Sequence, residues 1–357
     1  KLIKYDISIS AIKWFKSYLE ERCQSVRIEN HLSDPKLITQ VVPQGSILGP
    51  LLFSMYVNDL PTIPKSANTE SYVDDNKLFM SVNWNNLDNG LKELKWDLDS
   101  VAGWCCWNKL LINPEKTKFI IFCTRQLLKN LPDDLSIQFL GEILIPSKSV
   151  KDLGVTLDRE LTFDEHINVV KCCKSCNYSL CQISRLRHLF NKEHIEAILN
   201  SLVFSKLYFS STVWSNTTKR NVAKLQQLQN FAASIVDNKK FEHITPTLKA
   251  LKWLPVSDKL VLNDAIMTYK CMNGQAPSYP CFKIINMCEQ TQRYNTRFQS
   301  SGKIKQQLCR TSTGQRSFLV RAINLWNYSI ENNIQKENLS IFKKQFKTIL
   351  LNKFLDS

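Results

Sequence analysis

Hydrophobic periodicity divides the chain into a mixed first part and a helical second part. Between residues 12 and 19 apolar side chains recur three and four positions apart, as in an amphipathic helix. Residues 24–28 and 36–42 read as strands, and the Asn, Ser, Asp and Pro residues between them favour a hairpin turn. Gly49 and Pro50 open a predicted helix that runs to about Asp59.

Two further predicted strands flank an acidic pair, Asp74 and Asp75, which is followed by Asn76. Because Asp and Asn suit tight turns, the sequence predicts both carboxylates at the tip of a hairpin. Residues 91–107 have helical periodicity, residues 118–122 are predicted as a strand, and residues 137–157 as another hairpin. From residue 162 onward amphipathic helices follow, with predicted spans of 168–189, 192–208, 220–236 and 259–272.

The chain has 357 residues, of which 43% are hydrophobic and 22% charged, so it can bury a substantial core in more than one unit. Lys and Arg number 47 against 32 Asp and Glu, which gives a net charge of +15. This excess favours a polyanionic partner, either nucleic acid or an anionic membrane surface. Residues 281–357 carry 13 Lys and Arg but 4 Asp and Glu. The basic C-terminal end is therefore a candidate nucleic-acid clamp.

The 12 cysteines have no regular spacing and indicate reduced thiols, so a nuclear or cytoplasmic protein is expected rather than a secreted one. Cys173 and Cys176 form a Cys-x-x-Cys pair, but no second pair or suitably spaced His completes a zinc site, so small core residues are the better interpretation. No apolar run is long enough for a membrane span. Residue 1 is Lys1 within a helix-like segment, from which an upstream segment is expected.

Aromatic and basic residues alternate near the C-terminal end, as phosphate contacts combined with stacking platforms would. The functional candidates are the arginines, and helix packing is the alternative for Phe318 and Trp326, whose spacing of eight puts them on one helix face. The candidate nucleic-acid-binding residues are Arg293, Arg297, Arg316 and Arg321.

Adjacent carboxylates such as Asp74 and Asp75 repel each other unless cations neutralise them. Divalent metal ions are the natural partners, because nucleotidyl transfer by two Mg²⁺ ions requires oxygen ligands of this kind. An isolated Tyr-Val-Asp-Asp tetrapeptide is weak support, since paired aspartates in a surface turn are usually ordinary turn residues. The surrounding motifs decide between these interpretations.

The order of motifs resembles the palm of reverse transcriptases from non-LTR (LINE-type) retrotransposons. The segments that carry the resemblance are residues 42–53 with Pro-Gln-Gly at 43–45, residues 58–61, Tyr-Val-Asp-Asp at 72–75, residues 104–118 with Asn-Pro-Glu-Lys-Thr at 113–117, and Leu-Gly-Val at 153–155. Residues 14–26 are similar to the stretch that precedes Pro-Gln-Gly in the same enzymes. Residues 161–167 and 251–256 are similar to the thumb and following region of the jockey-like branch.

This resemblance implies an RNA-directed DNA polymerase that acts on an RNA template, a DNA primer and deoxynucleoside triphosphates with two Mg²⁺ (or Mn²⁺) ions. It implies that Asp74 binds both metal ions, that Asp75 assists, and that Tyr72 and Val73 lie near the primer end. Lys116 is implied as the general acid for the departing pyrophosphate, with an exposed surface lysine as the alternative.

Further implied substrate contacts come from two loops. Gln44 and Gly45 would line the nascent base pair, and Leu153 and Gly154 would belong to the hairpin that grips the primer. The expected architecture is α+β, with a partial palm built of an antiparallel sheet and packed helices at residues 1–160. A helical thumb is expected at 161–253 and a basic, mostly helical region at 254–357. No membrane partner is expected, and the oligomeric state is open.

The family's third metal-binding carboxylate has no counterpart in the sequence, because Asp6, Glu20, Glu21, Glu29 and Asp34 do not sit in its motif. The nucleotide-binding fingers are also missing from these residues. We therefore expect a polymerase fragment that is inactive alone. The alternative is a non-enzymatic fragment or relic that only binds nucleic acid.

Overall fold

The computed structural model describes residues 1–38, 42, 45–168, 172–238, 243–281, 283–284, 302–306 and 308–356. These residues form two compact units. The first, called the N-terminal unit, comprises Lys1–Phe119 and Asp133–Pro146. The second, called the helical unit, comprises Ile120–Pro132 and Ser147–Ser357. This division does not reproduce the predicted boundaries of the palm, the thumb and the C-terminal region, which remain predictions.

The N-terminal unit combines helices with short hairpins. Its helices are α1 (Ile9–Leu19), α2 (Leu48–Val57) and α3 (Leu87–Trp107). Its strands are β1 (Arg22–Gln24), β2 (Arg27–Ile28), β3 (His31–Leu32), β4 (Lys36–Ile38), β5 (Asn68–Tyr72), β6 (Asp75–Phe79), β7 (Ile137–Phe139) and β8 (Glu142–Leu144). The antiparallel pairs are β1 with β4, β2 with β3, β5 with β6 and β7 with β8.

Mixed helices and antiparallel strands agree with the predicted α+β class. Within the described residues, however, each of these strands pairs with one partner, so a continuous palm sheet is not seen there. The strand predicted at residues 118–122 is wrong. Phe119 forms a single parallel bridge with Pro146. Because proline has no backbone N–H, it cannot donate a hydrogen bond to a strand ladder at this position.

Helix α3 organises the core of the N-terminal unit. Its buried positions, Gly90, Asp97, Val101 and Cys105, recur at intervals of four and seven, which places them along one stripe of the helix. Val101 and Cys105 pack with Leu60 and with Leu78 of β6, while the next face of α3 packs against the β7–β8 hairpin. The core therefore fixes both hairpins against the same helix.

The helical unit is mostly helical after residue 162, as predicted. Its described helices are α4 (Arg125–Lys129), α5 (Asp164–Asn168), α6 (Cys172–Leu186), α7 (Lys192–Leu199), α8 (Ser205–Leu207), α9 (Ser211–Trp214), α10 (Lys219–Asp237), α11 (Thr245–Ala250), α12 (Val256–Met272), α13 (Ser312–Gln315), α14 (Phe318–Glu331) and α15 (Leu339–Asp356). Helices α6, α7, α10 and α12 overlap the four predicted spans. A π-helical segment, Asn200–Phe204, joins α7 to α8 and interrupts the span predicted as one helix. One hairpin, β9 (Ser149–Asp152) with β10 (Val155–Asp158), also belongs to this unit.

Helices α10 and α12 each contribute several buried residues to the core of the helical unit. Leu225, Leu228 and Ala232 of α10 recur three and four apart and pack into a core that also contains Trp214. Leu262 and Tyr269 of α12 pack against the first half of α15. None of the helices in the described ranges is both long and apolar enough to cross a bilayer.

Candidate functional site

The acidic pair lies where the β5–β6 hairpin turns. Tyr72 pairs with Asp75, so the turn residues are Val73 and Asp74 and not the Asp, Asp and Asn that the sequence suggested. Asp75 is instead the first residue of β6. Tyr72 and Val73 are 62% and 54% exposed, and both aspartates are also exposed. The hairpin therefore presents two adjacent carboxylates to solvent.

Val73 has an unusual backbone conformation at this turn. Its φ angle is +56°, a region that costs a residue with a Cβ about 1–2 kcal/mol. The side-chain amide of Asn76 donates to the Asp74 carbonyl at 3.2 Å and closes the turn from the other side. Leu78 of β6 packs in the core on α3, which fixes the register of the hairpin. A tertiary contact thus holds the turn in a conformation that the valine alone disfavours.

A buried carboxylate on α3 holds the loop that leads into β5. Asp97 is fully buried and accepts hydrogen bonds from the backbone N–H groups of Lys65, Ser66 and Ala67 at 2.8, 2.9 and 2.7 Å. Burial raises the pKa of Asp97, but the three N–H donors outweigh it, and the pKa is lowered from its ordinary value. Asp97 therefore fixes the start of the strand that ends at the acidic turn.

The Pro-Gln-Gly loop is described in part. Gln44 lies outside the described residues, so its expected place beside the nascent base pair stays a prediction. Gly45 has a φ angle of +79°, and a Cβ built on it would meet no heavy atom within 4 Å. The positive φ angle, and not a lack of space for a side chain, explains why glycine suits this position. After it, the Ser46 hydroxyl accepts from the N–H groups of Leu48 and Gly49 at 3.1 and 3.2 Å and so starts α2.

Lys116 lies in a short 3-10 turn, Pro114–Lys116. The side-chain oxygen of Asn113 accepts from its backbone N–H at 3.3 Å. Its side chain is exposed. This geometry explains why Asn-Pro-Glu-Lys forms a capped turn, and it leaves the general-acid role of Lys116 a prediction.

Leu153 and Gly154 form the turn of the β9–β10 hairpin, with φ angles of +42° and +90°. A Cβ on Gly154 would lie 3.0 Å from the Phe209 ring, so both the conformation and the contact require glycine. Phe209 is itself held, because its carbonyl accepts from the indole N–H of buried Trp214 at 2.9 Å. The predicted primer-gripping turn thus contacts the ring of Phe209, a residue whose backbone is tied to Trp214 in the helical unit.

The C-terminal arginines differ in their surroundings, and Arg293 and Arg297 lie outside the described residues. Arg321 forms an ion pair with buried Asp264, with Nε 3.0 Å from Oδ2, and donates to the carbonyls of Arg316 and Thr212. Burial raises the pKa of Asp264 despite the nearby guanidinium. These contacts favour a packing role for Arg321. Arg316 is half-buried and donates to the Ser312 carbonyl at 3.3 Å.

Strand β10, which follows the Leu153–Gly154 turn, ends in an aspartate that is not among the predicted site residues. The Asp158 carboxylate accepts from the N–H groups of Glu160, Thr162 and Phe163 at 3.1, 3.0 and 2.6 Å. It also accepts from the Thr162 hydroxyl at 3.2 Å. Asp158 therefore shapes the connection between β10 and α5, and Asp followed by Thr four positions later was the local signal for it.

Similarity to known proteins agrees with these observations. The family described as reverse transcriptase (RNA-dependent DNA polymerase) matches residues 3–157. A probable RNA-directed DNA polymerase from transposon BS of Drosophila melanogaster is 34% identical over 231 residues, which is 61% of this chain and 24% of that protein. The RNA-directed DNA polymerase from the mobile element jockey of the same species is 30% identical over 226 residues, or 60% of this chain and 24% of that protein.

A further relative, the probable polymerase from transposon X-element of Drosophila melanogaster, is 27% identical over 69% of this chain and 27% of its own length. The chain thus spans about a quarter of these relatives. No solved structure matches it. The matched segment contains the acidic hairpin and is similar to reverse transcriptases. The relatives are RNA-directed DNA polymerases of Drosophila transposons and mobile elements, so the similarity is to the reverse transcriptases of such elements.

Proposed function

We propose that the chain supplies part of the palm and the thumb of an RNA-directed DNA polymerase. In this proposal residues 1–160 are palm, 161–253 are thumb and 254–357 are a basic C-terminal region. The observation that carries it is the pair of exposed carboxylates, Asp74 and Asp75, at a rigidly anchored hairpin turn inside the segment that matches the family. An RNA template, a DNA primer and deoxynucleoside triphosphates are the proposed substrates.

The carboxylates fit only part of a divalent metal site. Mg²⁺ and Mn²⁺ prefer oxygen ligands, which Asp74 and Asp75 offer. Among the described residues, however, no group of three or more His, Cys, Asp or Glu side chains could hold a metal ion. Asp74 and Asp75 alone would not complete such a site, so a further oxygen ligand is required. In this proposal that ligand is the family's third palm carboxylate.

A primer-extension assay tests this proposal in two arms. The 357-residue polypeptide, given Mg²⁺ and a primed RNA template, should show little or no DNA synthesis. A chimaera that adds the preceding palm and fingers segment of the BS transposon polymerase should synthesise DNA. In that chimaera, Asp74→Asn should lower the rate roughly 100-fold or more, since it removes a charged group at the reacting centre.

Matched controls define what would contradict the proposal. Asp6→Asn, which neutralises an exposed carboxylate outside the motif, should leave the chimaera unchanged. Robust Asp74-dependent synthesis by the polypeptide alone would refute its incompleteness. A folded chimaera whose activity is indifferent to Asp74 would refute the assigned site.

A non-enzymatic nucleic-acid-binding protein is the second candidate. It is favoured by the net charge of +15, which suits a polyanionic partner. This candidate predicts tight nucleic-acid binding by a chimaera that still makes no DNA.

A further inference from the structure

Three lysines lie on the packed helices α12 and α15. Lys343 and Lys347 are one helical turn apart on α15 and exposed, and Lys259 lies in the first turn of α12. We call these three residues the lysine cluster. Leu262 and Tyr269 of α12 pack against Phe342 and Phe346 of α15, which immediately precede the two lysines of that helix. The packed core therefore fixes the helices that carry the cluster.

The electrostatic environment of Lys259 is unfavourable for its own charge. Its side chain is partly buried, and its ammonium lies 5.8 Å from the centroid of the Tyr208 ring. Burial lowers the pKa of Lys259, and the charges of Lys343 and Lys347 lower it further. Among the described residues no carboxylate contributes to this shift. An external anion would relieve this accumulation of positive charge.

From the placement of these three lysines on two packed helices, we propose that the lysine cluster binds the phosphate backbone of nucleic acid. The ligand chemistry is a row of phosphate groups, because three ammonium groups on a fixed surface suit a repeating anion better than a single one. Lysine offers a point charge without base-specific geometry, so the site should bind without regard to sequence. This inference refines the nucleic-acid binding assumed in the proposed function.

An anionic membrane is the less favoured partner. A helix that lies on a membrane must bury an apolar face among the lipid headgroups. In α15 the apolar stripe is already used, since Phe342, Phe346 and Leu350 are 1%, 0% and 6% exposed within the protein core. The side of α15 left to solvent around the cluster carries charge and little apolar surface, which fits phosphates in water.

The test measures binding of a fluorescein-labelled RNA–DNA hybrid by anisotropy at several salt concentrations. The triple variant Lys259→Gln, Lys343→Gln and Lys347→Gln removes three phosphate contacts. Each contact contributes about 0.9 to the slope of log affinity against log salt, so the slope should become shallower by about 2.7. By the same relation, a slope change of about 2.7 over the decade from about 1 M to about 0.1 M salt should lower the affinity at about 0.1 M salt roughly 500-fold.

Two matched variants accompany the triple substitution. The first is a control triple variant that changes three exposed lysines elsewhere in the helical unit: Lys174→Gln, Lys219→Gln and Lys283→Gln. It lowers the net charge by as much as the cluster variant does, but should weaken binding less than about tenfold. Replacing the three cluster lysines by arginine keeps the charge and should keep the affinity within about threefold. A thermal melt by circular dichroism shows whether each variant is folded. If Lys259→Gln unfolds the protein, the double variant Lys343→Gln and Lys347→Gln, at two exposed sites, should still make the slope shallower by about 1.8.

Each outcome bears on the inference. Suppose that the wild-type chain binds the hybrid, and that the cluster variant binds it as tightly as the variant changed at Lys174, Lys219 and Lys283. The phosphate-binding role of the lysine cluster is then refuted, while the proposed function stands. If the wild-type chain binds no nucleic acid, both fail. If it instead binds phosphatidylserine vesicles in a cluster-dependent way, the partner is a membrane and this inference is overturned.

Discussion

The buried carboxylate of Asp97 offers the sharpest test of how the acidic hairpin is held. One of its oxygens accepts from Lys65 N–H, and the other accepts from both Ser66 and Ala67. Asp97→Asn keeps the shape of the side chain but replaces one oxygen by an NH₂ group. With the amide oxygen turned toward Ser66 and Ala67, the Lys65 N–H faces another donor. The substitution therefore removes one acceptor and the negative charge together.

The expected cost follows from these contacts. A buried donor that loses its acceptor costs about 1–3 kcal/mol, and the two remaining hydrogen bonds lose their charge assistance, which adds about 1 kcal/mol. The loop that leads into β5 should therefore be destabilised by about 2–4 kcal/mol. The equilibrium constant for local opening of this loop should therefore increase roughly 30- to 1000-fold, since about 1.36 kcal/mol corresponds to a factor of ten.

Hydrogen exchange followed by peptide mass spectrometry measures this effect where it occurs. Amides of residues 65–72 should exchange faster in Asp97→Asn by that factor, while amides of α10 should not change. Asp99→Asn is the matched control on the same helix. It breaks an exposed pair with Lys95 at 2.6 Å, which contributes at most about 1 kcal/mol. Equal exchange in the two variants would refute the anchoring role of Asp97.

The lowered pKa of Asp97 also fixes the sign of a pH dependence. A carboxyl group whose pKa is lower in the folded state stabilises that state above the unfolded value of about 3.9. This stability is lost as the pH falls through the folded-state pKa. Protection of residues 65–72 should thus be constant near neutral pH and decrease in acid. The difference between wild type and Asp97→Asn should shrink there, and a difference that grows in acid would contradict the assignment.

Two further substitutions test the helical unit, each by urea denaturation. Gly154→Ala should destabilise it by about 1–2 kcal/mol more than Gly274→Ala. Both glycines have a positive φ angle, so the backbone strain is shared. An alanine Cβ at position 154 would also lie 3.0 Å from the Phe209 ring, whereas at position 274 it would meet no atom within 4 Å. Equal losses would show that the ring contact is irrelevant. Arg321→Met should cost about 3–5 kcal/mol, since it leaves a buried carboxylate without its cationic partner. A loss of nucleic-acid affinity without a loss of stability would instead restore Arg321 as a binding residue.

Periodicity located the helices well because burial of one face is a local property of the sequence. Helix α3 was expected from residue 91 and begins at Leu87, and α12 was expected from residue 259 and begins at Val256. The register of the acidic hairpin was harder to predict. A β-branched residue such as Val73 is rarely found at positive φ, so the sequence favoured the next residues as the turn. The packing of Leu78 on α3 decides the register, and that contact is tertiary.

The supporting residues were largely invisible in the sequence. Asp97 has the same helical context as exposed Asp99, and only its three partners about 30 residues earlier distinguish them. Arg321 was grouped with phosphate-binding candidates because neighbouring basic and aromatic residues suggested a surface. Its actual partner, Asp264, lies 57 residues earlier on another helix. Such pairs become apparent only when distant segments are packed together.

The acidic turn and the lysine cluster place opposite demands on a polynucleotide. Asp74 and Asp75 repel phosphates unless cations intervene, so they cannot supply binding energy by themselves. Lys259, Lys343 and Lys347 attract phosphates directly and need no metal ion. If the proposals are correct, affinity and chemistry therefore depend on separate charges. Neutralising Asp74 should lower the rate of synthesis in the chimaera roughly 100-fold or more without weakening binding. Neutralising the cluster should instead weaken binding and leave synthesis intact at saturating nucleic acid.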